Sequence, residues 1–392
     1  MSSVISGAAA IAGIGATEFS KDSGRSELQL AAEAVQAALR DAGLSARDVD
    51  GLVTYKMEGN PEIDVARTIG AGELTFFSRI PYGGGAAAGT VQQAALAIQA
   101  GIADVVVCYR AFNERSGVRF GAGMHDRPVD TTAERAAYSW LTPVGLATPA
   151  QWVAMFAQRY LHEFGATTED FGRVSVLDRK HAATNPHAWF YERPITLEDH
   201  QASRWIAEPL RLLDCCQETD GGQALVLVSA ERARDLPRPP AVVRAAAQGS
   251  GHDQLSMTSY YRDDITGLPE MGLVARQLYA QSGLSPDDMD AAILYDHFTP
   301  LVLTQLEELG FCGRGEAGGF VAEGNLELDG RLPTNTHGGQ LGEAYLHGMN
   351  GIAEAVRLVR GTSVNQPGSV EHVVVTAGTG VPTSGMIVGC DA

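Results

Sequence analysis

The sequence predicts a layered α/β fold assembled from two similar halves, and two observations carry this. One motif occurs twice: Ala42–Tyr55 reads AGLSARDVDGLVTY and Ser282–Tyr295 reads SGLSPDDMDAAILY. Gly43, Leu44, Ser45, Asp48, Asp50 and Tyr55 thus recur, at one constant offset, as Gly283, Leu284, Ser285, Asp288, Asp290 and Tyr295. Each copy follows an amphipathic helical stretch (Ser26–Ala42, Leu268–Ser282) and runs into an apolar strand. Helix, turn and buried strand form the repeating unit of layered α/β folds. A weaker second pair agrees: Gly83–Gly85, a helical run and Asp104–Tyr109 resemble Gly338–Gly339, a helical run and His372–Thr376. Only the second half puts Asp296, His297 and Phe298 after its strand tyrosine. Divergence between duplicated halves is where a site is sought.

In chain order, residues 8–19 read as a glycine-interrupted strand, and Ser26 caps the first helix. Val49–Tyr55 and Leu74–Ile80 are strands flanking a short helix, and Gly83–Gly89 opens a helix ending at Gly101. The buried strand Asp104–Arg110 follows. From Asn113 to about Leu210 all four tryptophans and several charged helical runs appear. This stretch reads as an insertion folded over the sheet edge, forming part of a pocket wall. Leu225–Ser229 returns as a strand, and Pro237–Pro240 marks the junction. The expected organisation is a first half over 1–236, with the insertion at about 113–210, and a second half over 237–392.

Composition narrows the function. Hydrophobic residues make up 45% but aromatics only 7%, with 45 glycines, which suits tight helix-on-sheet packing. A formal charge of −18 argues against nucleic acid or an anionic membrane as partner, since both need a basic footprint. No segment approaches the ~18 apolar residues of a membrane span. The apolar N-terminus lacks a basic flank and reads as a strand rather than a signal peptide. Five cysteines without C-x-x-C spacing disfavour a disulfide framework and point to the cytoplasm.

Three second-half segments carry a family resemblance: YDHFTPLVLTQLEELGFC (Tyr295–Cys312), NTHGGQLGEAYLHGMNGIAEAVRLVRG (Asn335–Gly361) and VVVTAGTGVPTSGMIVG (Val373–Gly389). They resemble blocks of the thiolases, most closely the lipid-transfer, thiolase-like branch. The insertion agrees, because RYLHEFGATTEDFGRV, HAATNPHAWF and PLRLLDCCQETDGGQALVLVS resemble that branch's loop domain and return strand. The resemblance spans essentially the whole chain. It implies the five-layer αβαβα sandwich of two duplicated halves, packed through central helices as a homodimer.

The departures from the family pattern matter most. Thiolases carry a nucleophilic cysteine at the tip of the helix that here begins YGGGAAAGT, and this stretch has none. The family's Gly-His-Pro histidine falls on Tyr345, and its second cysteine falls near Thr376–Gly378. The block that usually begins Asn-Glu or His-Asp begins Tyr295-Asp296-His297. Covalent acyl transfer needs a thiolate and an activating base, so thiolysis and Claisen condensation are disfavoured. Two tyrosines remain where the family has an asparagine or histidine and a histidine. A phenol, with an ordinary pKa near ~10, is a good donor and a reluctant base. Two phenols sharing a proton form an acid–base couple suited to breaking a carbon–carbon bond β to a thioester. A base takes the β-hydroxyl proton, the bond collapses to a ketone, and the acyl-CoA enolate regains a proton.

This pattern is similar to the thiolase-like aldolases of bacterial sterol side-chain catabolism. That resemblance implies a 17-hydroxy steroid-20-carboxyl-CoA substrate, giving a 17-ketosteroid and propionyl-CoA. It also implies a small partner with an OB-fold and zinc ribbon, the DUF35 type. No separate cofactor is expected, since CoA is part of the substrate. The alternative reading is a non-catalytic lipid- or acyl-CoA-binding protein that kept the fold.

The expected catalytic residues are therefore Tyr295, Tyr345 and His297, with either tyrosine as base. Each has a bland counterpart: Tyr345 as a helix-cap aromatic, Tyr295 as structural like Tyr55, His297 as a bond to backbone. His337, Gly338, Gly339 and His347 are candidates for holding the thioester and CoA, although tight packing alone also selects glycine. His297, His337 and His347 match no metal-ligand spacing, so no metal is expected. Asp296 reads as bonded to backbone or solvated, and Cys215-Cys216 as core filling. The three lysines (Lys21, Lys56, Lys180) lie outside the second-half motifs and offer no Schiff-base candidate.

Overall fold

The computed structural model describes residues 5–122 and 132–391. Its strands are β1 (Ala9–Ala16), β2 (Gly51–Tyr55), β3 (Phe76–Ile80), β4 (Val106–Asn113), β5 (Trp205–Ala207), β6 (Leu210–Arg211), β7 (Asp220–Ser229), β8 (Ala241–Gly249), β9 (Ala291–Ile293), β10 (His372–Ala377) and β11 (Thr383–Cys390). Apart from the β5–β6 hairpin they form one sheet in the order β3-β2-β4-β7-β1-β8-β11-β10-β9. Its midline is the short antiparallel contact of β1 with β8, where Ala10 faces Val242 and Ile11 faces Ala241. Outward from that line the two halves repeat one connectivity, β1-β7-β4-β2 and β8-β11-β10-β9. In each, the outer pair is parallel and the remaining pairs are antiparallel.

Strand alternation builds three cores. Val106 and Cys108 of β4 point to the central core, while Val105, Val107 and Tyr109 point outward. The central core joins both half-sheets through the helices Ala87–Gln99 and Met349–Val359. The helix Glu27–Ala42 covers the outer face of the first half. Helices Pro269–Ser282 and Thr299–Glu308 cover the outer face of the second. Helix, sheet, helix, sheet, helix is the expected five-layer arrangement.

The repeated motif does identical scaffolding in both halves. Ser45 and Ser285 each donate their backbone N–H to the aspartate three residues on, at 2.7 Å. Asp50 accepts the N–H groups of Asp104 and Val105 ahead of β4. Asp290 accepts those of Glu371 and His372 at the start of β10. Each aspartate thereby fixes where the neighbouring parallel strand begins. Ser26 caps its helix as expected, accepting from Gln29 N at 3.2 Å.

Two boundary differences from expectation bear on the site. The return strand β7 starts at Asp220 rather than Leu225, because Gly221 and Gly222 extend the ladder with β4. The strand expected to reach Tyr295 ends at Ile293. Beyond it, side chains replace the ladder: Leu294 N donates to Asn335 Oδ1 (2.9 Å), and Tyr295 N to Thr376 Oγ1 (2.9 Å).

The insertion contains the helices Thr132–Leu141, Pro149–Phe164, Thr168–Thr184 and Leu197–Ala202. It leaves the first half and lies over the second, where Phe171, Val174 and Leu177 join the core of Leu301, Phe311 and Leu341. Between its Pro149–Phe164 helix and the second half runs a cleft lined by Phe156, Ala157, Met257, Leu268, Leu301 and Thr379. Among the described residues, no helix is long and apolar enough to cross a membrane.

Candidate active site

The site forms where the ends of β2 and β4 in the first half meet the loops after β9 and before the helix Met349–Val359. Tyr295 and Tyr345 lie 50 positions apart in sequence, yet their hydroxyls stand 3.4 Å apart, Tyr295 donating to Tyr345. That is longer than an ordinary O–H···O bond. Both rings are buried, at 4% and 9% exposure, within an apolar cluster of Phe112, Leu346, Phe19, Phe120 and Cys216. Burial pushes both phenols well above their usual pKa. For Tyr295 the neighbouring Tyr345 adds to the rise, and for Tyr345 the charges of Cys216 and Glu114 do. Each is therefore a neutral donor at physiological pH, and of the two it is an anion on Tyr345 that its partner's hydroxyl favours.

Close backbone approach makes room for the pair. A Cβ at Gly84, in the turn Gly83–Ala86 ahead of the first central helix, would stand 1.8 Å from Tyr295 Oη. A Cβ at Gly378 would stand 2.4 Å from Gly85 N. These glycines lie in the two turns where the sequence lacks the expected cysteines. Tyr295 Oη has taken the space that any side chain at Gly84 requires.

His297 packs edge-to-face on the Tyr295 ring at 4.8 Å, and its Nδ1 lies 3.4 Å from Thr379 Oγ1. Burial lowers its pKa to about 3, so it is a neutral imidazole. Its carbonyl accepts from Cys216 N (2.9 Å). His347 lies beneath Tyr345, edge-to-face at 5.0 Å, stacked on Phe112 at 5.1 Å. Arg110 Nε donates to His347 Nδ1 at 3.2 Å, and since guanidinium only donates, Nδ1 is an acceptor. Arg110 is itself buried, paired with Glu58 at 2.9 Å and lying 4.1 Å over the Phe112 ring.

The remaining candidates have packing roles. A Cβ at Gly338 would meet Ala182 at 2.5 Å, and one at Gly339 would meet Asp296 Oδ2 at 2.1 Å. The glycine pair thus lets the insertion helix and Asp296 close on this loop. Asp296 accepts the N–H groups of Gln340 and Leu341 at 2.8 and 2.9 Å, the backbone-bonded role expected of it. His337 is buried with Nε2 3.9 Å from Glu343. His297, His337 and His347 thus serve three separate surroundings, and the described residues hold no cluster of three or more metal-ligating groups.

Sequence reasoning missed several contributors. Cys216, read as core filling, packs on the tyrosine cluster, and burial first of all holds its thiol well above the usual range. Burial likewise raises Cys108 to about 12. Neither is an activated nucleophile. Phe112 and Glu114 come from the first half, where no motif signalled them. Tyr345 is not a helix-cap residue: Gly348 caps the following helix, and Tyr345 N is held by Thr219 Oγ1 at 3.2 Å.

Comparison with known proteins agrees with this architecture. Residues 4–231 match the thiolase N-terminal domain, and residues 249–388 match the thiolase C-terminal domain-like family. The chain belongs to the thiolase superfamily. It is 76% identical over 389 residues to a steroid side-chain-cleaving aldolase of Thermomonospora curvata, covering 99% of this chain and 100% of the relative. It is 67% identical to the 17-hydroxy-3-oxo-4-pregnene-20-carboxyl-CoA lyase of Mycobacterium tuberculosis, covering 98% and 100%. A solved Ltp2-ChsH2(DUF35) aldolase superposes with a TM-score of 0.95 at 75% identity, covering 99% of each chain. Human mitochondrial 3-ketoacyl-CoA thiolase, at 16% identity and a TM-score of 0.68, shares the fold. Relatives of this identity over the full length make the chain a carbon–carbon lyase of the aldolase type rather than a silent binder.

Proposed function

We propose that the chain performs retro-aldol cleavage of a 17-hydroxy-3-oxo-4-pregnene-20-carboxyl-CoA-like thioester, yielding a 17-ketosteroid and propionyl-CoA. The observation that carries this is the buried Tyr295–Tyr345 pair, facing glycines where covalent thiolase chemistry needs cysteines. Tyr345 takes the proton of the substrate's β-hydroxyl as it releases its own hydroxyl proton toward Tyr295. The hydroxyl oxygen becomes the ketone as the carbon–carbon bond breaks and its electron pair passes to the thioester enolate. Tyr295 passes its proton to the enolate α-carbon in the same relay, and the proton released by Tyr345 restores it. General acid–base steps of this kind contribute roughly 10²–10⁴-fold. Neutral His297 fixes the Tyr295 ring. The cleft ending at Thr379, beside His297, is the route by which the acyl arm reaches the pair.

The reading includes a cytoplasmic location, a homodimer and a DUF35-type partner, and no cofactor beyond the CoA of the substrate. Supporting the dimer, β3 is an edge strand with Phe77 67% exposed, and Ile63 and Tyr82 are exposed as well. Long apolar edges favour pairing with another chain. Supporting a partner, the solved relative bears the DUF35 designation. A partner with a basic face would offset the −18 charge against an anionic CoA. The test measures propionyl-CoA release by wild type and Tyr345→Phe, each with and without a DUF35-type protein. Release by wild type that collapses in the variant supports the reading. Tight CoA-ester binding with no release under any condition overturns it.

A further inference from the structure

Buried carboxylates in this protein are, with few exceptions, fully bonded. Glu58 Oε2 accepts from Arg110 and Ala111 N at 2.9 Å, and its Oε1 from Asn60 at 2.6 Å. Glu354 accepts from Thr336, Ser363 and Arg357. Glu114 differs. It is 2% exposed, and its Oε2 has no partner at all. The backbone N–H groups of Thr219 and Phe120 face the carboxyl, and Thr219 is the residue that anchors Tyr345 N. Phe112, two residues earlier along the same strand direction, lies in van der Waals range of Tyr345 and His347. Glu114 lies in the turn directly after β4, and its charge bears on both Tyr295 and Tyr345. An uncompensated buried carboxylate costs several kcal/mol and calls for a role or a bound water.

We propose that Glu114 is the proton-holding residue of the tyrosine pair, linked to Tyr345 through one water on its free oxygen. The inference rests on the aldolase reading and extends it. As the β-hydroxyl proton passes to Tyr345 Oη, the proton of Tyr345 passes over the water to Glu114 Oε2. Tyr295 gives its own proton to the enolate carbon. Glu114 then returns its proton through Tyr345 to Tyr295, so the protein ends as it began. This supplies what two phenols lack, a group ionised before substrate arrives. Burial, reinforced by the charge of Glu218, lifts the Glu114 carboxyl well above its usual range, which makes its carboxylate a stronger base than an exposed one. The other charged or titratable groups facing it are Arg110, Lys21, Cys216, Tyr295 and Tyr345.

The test compares wild type, Glu114→Gln and Glu114→Asp in complex with the partner, measuring propionyl-CoA release against pH. Because the carboxylate form accepts the proton, wild-type kcat rises with pH through an acidic limb above the ordinary carboxylate range. Glu114→Gln lowers kcat about 10–100-fold with KM little changed and loses that limb. Glu114→Asp keeps a limb at a shifted midpoint. A Gln variant with wild-type kcat and limb overturns the role of Glu114 while leaving the aldolase standing. So does a wild type with no such limb, should the variants fail to fold. A second readout needs no turnover: phenolate absorbance during alkaline titration. Removing the Glu114 charge lets the buried phenols ionise at lower pH, and an unchanged titration overturns the coupling. If wild type turns nothing over yet this shift appears, the aldolase reading fails and the coupling holds.

Discussion

Tyr55 and Tyr295 hold equivalent sequence positions in the two halves, yet only one sits in a reactive setting. Tyr55 remains in the sheet ladder opposite Ile80, and its hydroxyl donates to the carbonyl of His347 at 3.1 Å. Tyr295 has left the ladder. Its backbone N–H is held by the side chains of Thr376 and Gln305, and its hydroxyl meets another phenol. Burial raises both phenols well above their usual pKa, so burial does not separate them. The partner does. A carbonyl never changes charge, so Tyr55 is locked as a donor, whereas Tyr345 can gain or lose a proton with Tyr295. Duplication provided the position, and the acceptor decided its chemistry.

The largest expected effect breaks that contrast directly. Tyr295→Phe and Tyr345→Phe each lower kcat by roughly 10²–10⁴-fold in propionyl-CoA release, with thermal midpoints close to wild type. Gly84→Ala comes next. Its Cβ would overlap Tyr295 Oη at 1.8 Å, so the ring or the turn has to move. A misplacement near 1 Å costs about 10²-fold in kcat. Wild-type turnover in Gly84→Ala would mean that the observed position of the Tyr295 hydroxyl is not the working one.

These two glycine and tyrosine positions also show what was legible in the sequence. The fold was, because the duplicated Ser45/Asp48/Asp50 and Ser285/Asp288/Asp290 sets do the same local hydrogen bonding in both halves. The tyrosine pair was legible through divergence, since Tyr295 and Tyr345 sit where the family pattern breaks. Phe112, Glu114 and Cys216 were not. They reach the chamber from the first half and from the end of the insertion, and no periodicity links them to Tyr295. The end of β9 at Ile293 was also hidden, because the groups replacing the ladder (Asn335, Thr376, Gln305) are 10 to 81 positions away.

A third test uses the residues after each tyrosine. Lys56 follows Tyr55 and is exposed, whereas Asp296 follows Tyr295, fully buried beside Asp178 of the insertion. Burial, and then the charge of Asp296, push the Asp178 carboxyl well above its usual range. The native state keeps a proton that the unfolded chain releases above about pH 4, so stability falls as pH rises from there. The slope for one such proton is about 1.4 kcal/mol per pH unit. Denaturant unfolding of Asp178→Asn should be less pH-dependent than wild type by up to that amount. Equal slopes would show that the pair carries no extra proton.

The smallest effect is the most discriminating for the comparison itself. Tyr55→Phe removes one hydrogen bond to the His347 carbonyl and leaves the ring, its stacking on His347 at 6.0 Å and the β2 ladder in place. The expected loss is about 1 kcal/mol of stability, read by denaturant unfolding, because a single neutral hydrogen bond contributes about that much. Turnover should stay within about threefold of wild type, since no proton transfer passes through Tyr55 and Arg110 still fixes the ring of His347. A kcat loss as deep as that of Tyr295→Phe would place Tyr55 inside the acid–base chain. The two equivalent tyrosines would then be one device spanning both halves, rather than a scaffold residue and its reactive copy.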